Sequence, residues 1–333
     1  MQINALEAAP VLKMFFDMHA DVWTDNLWEY EKGKKDVIRR KYKEKFEKGR
    51  LLGGIFVIYI NAFKTPNPEE TFFQSLRYMS EELYHSRDIV HVIKEPHDFE
   101  KAGKLKKFGV MLGIEGLPGI GENIDYIYLL ERMGIRHIGL TWNEENAFAT
   151  GQRGNVERGL TPLGKELVKV MEDLRILLDL SHANDKTFWD VEKYCKRPFF
   201  ASHSNSRNLC PSMRNLTDDQ IMCIGERKGM IGLNSYHGFV SEKEEEKNLD
   251  TLLNHMEYIG EKIGLDKVGF GFDFAEYYNA TAEVEDDGLE GVKDVTELQN
   301  VITALKKRGY SEKEIEGITW KNFLSFFERV RKG

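Results

Sequence analysis

Cysteine is scarce in this 333-residue chain: Cys195, Cys210 and Cys223 are all there is, and no Cys-x-x-Cys pair occurs. A scattered, odd-numbered set supports neither a disulfide framework nor a thiolate zinc site, and fits the reduced thiols of a cytoplasmic protein. Proline is also rare, at 8 residues. No Pro/Ser-rich linker or low-complexity segment marks a boundary, so one domain over residues 1–333 is expected. No apolar run approaches the roughly 20 residues of a spanning helix, and no opening stretch has the shape of a signal peptide, so no membrane anchor is expected. Basic excess is missing too. With a net charge of −8 and a pI near 5.7, the chain has no general attraction for nucleic acid or anionic membranes. Its lysine-rich runs at 32–35 and 39–48 are interleaved with Glu31, Asp36, Glu44 and Glu47, as on a solvated helix face.

What is present is an alternation of short apolar runs with helix-length polar stretches. Strands are expected at Met14 to Val22, Gly53 to Asn61, Phe108 to Gly116, Ile135 to Trp142, around Leu177, around Phe200, at Met230 to Tyr236 and at Val268 to Phe274. Helices are expected between them, with Thr161-Pro162 a helix start and capping boxes at Thr217 to Gln220 and Ser311 to Glu314. The charge run Glu242 to Lys247 is read as opening a long helix that ends at Ile263. Eight strands separated by helices close most simply into a (β/α)8 barrel of the α/β class, with additional C-terminal helices over about 295–330.

Two of the strands end alike, in Ser181-His182 and Ser202-His203, with a helical length between them. Parallel neighbours joined by a helix start from the same edge, so both imidazoles emerge at one end of the sheet. On the same strand assignment His19 and Asp21 end the first strand, Glu115 the third and Asp273 the eighth. Any one of these alone is an ordinary strand-end residue: a satisfied histidine, a turn glutamate, a capping aspartate. Together they converge on the mouth where barrels carry their chemistry. Imidazole and carboxylate donors suit zinc, manganese or iron. Six of them exceed one tetrahedral site, and two metals about 3.5 to 4 Å apart sharing a carboxylate would be hydrolytic. His85, His91, His97 and His255 are read as surface residues, and His137 as lying at the wrong end of its strand.

The motifs Asp17-Met18-His19-Ala20-Asp21, Gly113-Ile114-Glu115-Gly116, Asp179-Leu180-Ser181-His182, Ala201-Ser202-His203-Ser204-Asn205, Met213-Arg214-Asn215-Leu216-Thr217-Asp218 and Gly269-Phe270-Gly271-Phe272-Asp273-Phe274 occur in this order. With them the chain resembles the membrane dipeptidase (renal dipeptidase) family of zinc peptidases, within the amidohydrolase superfamily. The resemblance implies a metalloprotease with two zinc ions: His19 and Asp21 on one, His182 and His203 on the other, and Glu115 bridging. It also implies that a hydroxide held between them attacks the peptide carbonyl of a dipeptide, that Asp273 acts as general base and acid, and that Arg214 pairs with the substrate carboxylate. Trp142 stands where animal members carry a carbonyl-binding histidine, and with Asn143 it is a further substrate-binding candidate. The expected substrates are L-Xaa-Xaa dipeptides, with a D-residue tolerated at the C-terminal position. The alternative on the same site is hydrolysis of N-acyl amino acids, lactones or β-lactams. Relatives of this kind are commonly homodimers.

Overall fold

The computed structural model describes residues 14–278 and 287–332. Its strands are β1 (Phe15–Ala20), β2 (Leu51–Tyr59), β3 (Val90–Val92), β4 (Phe108–Glu115), β5 (Ile135–Gly139), β6 (Leu177–Asp179), β7 (Ile231–Leu233) and β8 (Val268–Phe270). All pairings between them are parallel, in the order β1-β2-β4-β5-β6, with β7 on β8 and the short β3 on the first residues of β4. The gap between β6 and β7 is filled by the extended Phe199–Ala201 segment. Phe200 bridges to Asp179, and Ala201 to Ile231. On the far side Asp273 N donates to His19 O at 3.3 Å, and Phe272 N to the Asp17 carboxylate at 2.9 Å. A side chain thus stands in for a ladder bond, and the ring closes as a (β/α)8 barrel.

One end of the barrel is plugged. Phe16, Met18, Ile55, Val57, Met111, Leu177 and Phe200 form one apolar cluster with Phe323, Phe326 and Phe327 of the last helix, Asn322–Lys332. Phe16 stacks on Phe323 at 4.6 Å, and Phe200 meets Phe326 at 5.1 Å. A larger cluster fills the space between the strands and the outer helices. With the floor closed by aromatic rings, only the carboxyl ends of the strands face an open mouth.

Sequence signals with a defined chemistry mark their elements well. Thr161 Oγ1 caps helix Pro162–Asp173 by accepting from Gly164 N at 2.9 Å. Both capping boxes form. Other boundaries move. The expected first strand stops at Ala20, and residues Val22–Glu31 are already helical, with Asp21 at the cap position. The charge run at 242–247 does not open the long helix: Glu244–Glu246 make a 3-10 turn, and Leu249–Ile263 begins only after Asn248, whose amide oxygen takes Thr251 N at 3.0 Å. Asparagine is the better N-cap, so it wins over three glutamates. No helix among the described residues is long and apolar enough to cross a membrane.

Candidate metal centre

The end of β1 delivers His19, the end of β4 Glu115, the turns after β6 and after the Phe199–Ala201 segment His182 and His203, and the turn after β8 Asp273. Backbone geometry at these ends is unusual. His182 and Asp273 both adopt left-handed φ, 66° and 57°, which is uncommon for non-glycine residues. Gly116, directly after Glu115, has φ 75°, and a Cβ there would lie 2.8 Å from Trp142 N. The chain can leave the glutamate only through a glycine.

The side chains converge. His19 Nε2 lies 3.7 Å from Asp21, 3.6 Å from Glu115 Oε2 and 4.0 Å from Asp273. On the other side, Glu115 Oε1 lies 3.0 Å from His182 Nε2 and 3.5 Å from His203 Nε2, and these two nitrogens are 3.1 Å apart. The glutamate therefore turns one oxygen to each half of the cluster. His19 and His203 also stack, ring centre to ring centre 3.7 Å.

These residues fit a cation better than they fit one another. Both ring nitrogens of His19 are buried without a hydrogen-bond partner among the described residues. Burial alone would lower its pKa, but the carboxylates of Glu115, Asp21 and Asp273 overcome that and push it well above the usual imidazole value. Burial raises Glu115 to about 7, partly opposed by His19, and raises Asp273 as well. Burial, helped by the charge of Arg214 and His19, holds His182 and His203 well below the usual value, so both present neutral nitrogens. Neutral imidazoles aimed at each other and carboxylates crowded round an unpartnered ring form a donor set that wants positive charge. Two overlapping groups, His19-Glu115-His203 and His19-Asp21-Asp273, each have ligand atoms within 4.8 Å of one another.

A second set of residues orients the first. Asp179 is buried and accepts from Ser181 N, Ser202 N, Ser202 Oγ and His137 Nε2 at 2.9, 2.9, 2.5 and 2.9 Å. A carboxylate can only accept, so Ser202 Oγ gives its proton to Asp179 and accepts from His203 Nδ1 at 2.6 Å. That leaves His203 Nε2 with its lone pair facing Glu115. Asn143 does the same for the other histidine, its amide oxygen 3.1 Å from His182 Nδ1. Burial acts against the Asp179 charge, yet the bonds from His137 and Ser202 hold its pKa well below the normal range. The signal was present in the sequence: a charged residue inside an apolar run, and a serine before each histidine.

Above the cluster lies a cavity of about 400 Å³, walled by Tyr59, Trp142, Arg153, Tyr236, Phe239 and Tyr278. Trp142 packs 4.9 Å from Tyr59 and 6.1 Å from His182. Arg214 is one layer further back. It is buried beside Phe239, donates to Ser204 Oγ at 2.6 Å and His203 O at 2.7 Å, and keeps its Nε unpartnered. Burial lowers its pKa to about 10, still cationic at neutral pH. His255, expected at the surface, is fully buried: its Nε2 faces Val240 O at 2.8 Å and its Nδ1 accepts from Ser206 N at 3.1 Å. His137 too is fully buried.

The sequence profile of the membrane dipeptidase family (peptidase family M19) matches residues 4–332. An uncharacterized Klebsiella pneumoniae protein encoded in the pqqA 5' region is 30% identical over 277 residues, covering 79% of this chain and 97% of that one. The dipeptidase aclJ of Aspergillus oryzae is 26% identical over 84% of this chain and 67% of its own. Among solved structures, a Rhodobacter sphaeroides metallopeptidase liganded with a phosphinate mimic of L-Ala-D-Ala superposes with a TM-score of 0.83 at 26% identity, covering 96% of this chain and 99% of that one. With a matching fold, a buried donor set for a metal and a family match over nearly its whole length, this chain belongs to the membrane dipeptidase family and is a metallo-dipeptidase.

Proposed function

We propose that the protein is a dinuclear zinc dipeptidase that hydrolyses L-Xaa-Xaa dipeptides and accepts a D-residue at the C-terminal position. The two faces of Glu115 carry the reading: Oε2 turns to His19, and Oε1 to His182 and His203. His19 and Asp21 would hold one ion, His182 and His203 the other, and Glu115 both. Bound there, zinc supplies Lewis acidity, polarising a carbonyl and making water nucleophilic near neutral pH. The tolerance of a D-residue is supported by the L-Ala-D-Ala mimic bound to the Rhodobacter relative.

The chain's own groups do the rest. Asp273 projects over the cluster and is steadied by Asn234 Nδ2 at 3.0 Å. It takes the proton of the attacking water and passes it to the leaving amine, so that hydroxyl ends on the carbonyl carbon and hydrogen on nitrogen. Arg214, with its free Nε, holds the substrate's α-carboxylate and so fixes where the peptide ends. Trp142 and Tyr59 exclude water from one wall. Trp142 leaves the carbonyl oxygen without an imidazole donor on that side.

A panel of L,L and L,D dipeptides, N-acyl amino acids, lactones and β-lactams, assayed with zinc-loaded protein, tests the reading. Hydrolysis of dipeptides, with the rate lost in Asp273→Asn and KM raised in Arg214→Ala at undiminished zinc content, is expected. Inertness on every dipeptide, with turnover of a lactone or an N-acyl amino acid, would overturn it.

A further inference from the structure

The cavity carries positive charge that the hydrolysis itself does not use. Lys64 and Arg153 both line it, whereas among the described residues every carboxylate lining the cavity, Asp21, Glu115 and Asp273, belongs to the cluster beneath. Arg153 is placed by its backbone. Its N–H donates to Asn143 O at 2.9 Å, Gly151 bridges to Ala183, and Gln152 Nε2 donates to Ala183 O at 2.6 Å. The loop that carries it is thus tied at two points to the turn bearing His182 and to the strand end bearing Trp142.

The guanidinium lies with Cζ 5.8 Å from the centre of the Trp142 ring. Among the described residues it makes no ion pair or side-chain hydrogen bond. Other arginines are spoken for: Arg158, in the same loop, binds Ala149 O, Thr150 Oγ1 and Asn146 O, and Arg207 forks onto Asp185. A guanidinium backed by an aromatic face and facing a cavity without a carboxylate partner is built to receive one.

The orientation of the substrate says which one. With the α-carboxylate drawn towards Arg214, beside Ser204 and Phe239, and the scissile carbonyl above Glu115, the N-terminal residue extends towards Tyr59, Trp142 and Arg153. We infer that Arg153 is a specificity residue that selects an acidic side chain at the N-terminal position, so that the preferred substrates are dipeptides beginning with aspartate or glutamate. This rests on the dipeptidase reading above and on Arg214 as its carboxylate clamp. Bonds and protons are those of the same hydrolysis; only the choice of side chain is added.

The test compares kcat/KM for L-Glu-L-Ala, L-Gln-L-Ala and L-Lys-L-Ala, a series that changes charge at nearly constant length. An exposed charge pair is worth about a 1.5- to 5-fold preference for Glu-Ala over Gln-Ala, carried mainly by KM and shrinking as salt is raised. Arg153→Gln should bring that ratio close to one, and Arg153→Glu should shift selection towards Lys-Ala, with zinc content unchanged in both. Equal hydrolysis of Glu-Ala and Gln-Ala by the unaltered protein, or a ratio that survives Arg153→Gln, would overturn the inference while leaving the dipeptidase reading in place. Hydrolysis of none of the three would overturn both.

Discussion

A single hydroxyl decides which nitrogen His203 turns to the cluster. Because Asp179 can only accept, Ser202 is obliged to donate to it and to accept from His203 Nδ1, which frees Nε2. Removing such an orienting partner typically costs about 10- to 100-fold in metal affinity. Ser202→Ala and Asp179→Asn are therefore expected to weaken zinc binding by that much in a competition titration with a chelating dye, without unfolding the protein; unchanged affinity would remove the relay from the account. Close packing at Gly113 follows from the same network, since a Cβ there would approach His137 Nδ1 to 2.7 Å. Gly113→Ala should cost about 1–3 kcal/mol in denaturant unfolding. The candidate ligands stand out in the sequence because histidine and carboxylate at strand ends carry their own chemistry. The serines and Asp179 are as visible, but their role exists only once β6 and the 199–201 segment lie side by side.

Elements opened by Thr-Pro or a capping box were readable, whereas the Asn248 cap was masked by the charge run before it and ends fixed by neighbours left no signal. Strands of three residues such as β6, β7 and β8 give too short a pattern to bound, and β3 exists only because it pairs with the start of β4. Asp98 shows how one side chain secures such a junction. It accepts from Lys94 N and Glu95 N, both at 3.0 Å, and from His91 Nε2 at 3.1 Å, linking β3 to helix His97–Leu105. Burial opposes its charge, but these bonds hold its pKa below the ordinary value. A depressed folded-state pKa stabilises above the unfolded value and is lost as pH falls through the folded one. Asp98→Ala should cost about 1–2 kcal/mol at pH 7, and the gap from the unaltered protein should narrow as pH drops below about 4. A gap independent of pH in urea titrations would contradict this.

On the scale of the whole molecule, the barrel brings residues from His19 to Asp273 to one mouth and seals the other end with Phe323, Phe326 and Phe327. Fold and candidate ligands could be anticipated because eight alternations and six strand-end donors repeat one rule. The wall of the cavity could not: Tyr59 at the end of β2, Arg153 in a loop and Phe239 in the short helix His237–Val240 meet in a way no periodicity encodes. Since the cluster crowds carboxylates round an unpartnered imidazole, removal of metal by a chelator should lower the melting temperature, and zinc at about 1,000 times its Kd should restore about 4 kcal/mol. The most direct test of the central claim is a zinc titration of the metal-free protein followed by hydrolysis of a dipeptide. The account predicts activity that rises until two equivalents per chain are bound and then stays level, and that Glu115→Gln fails to reach. Full activity at one equivalent, or none at any loading, would contradict it.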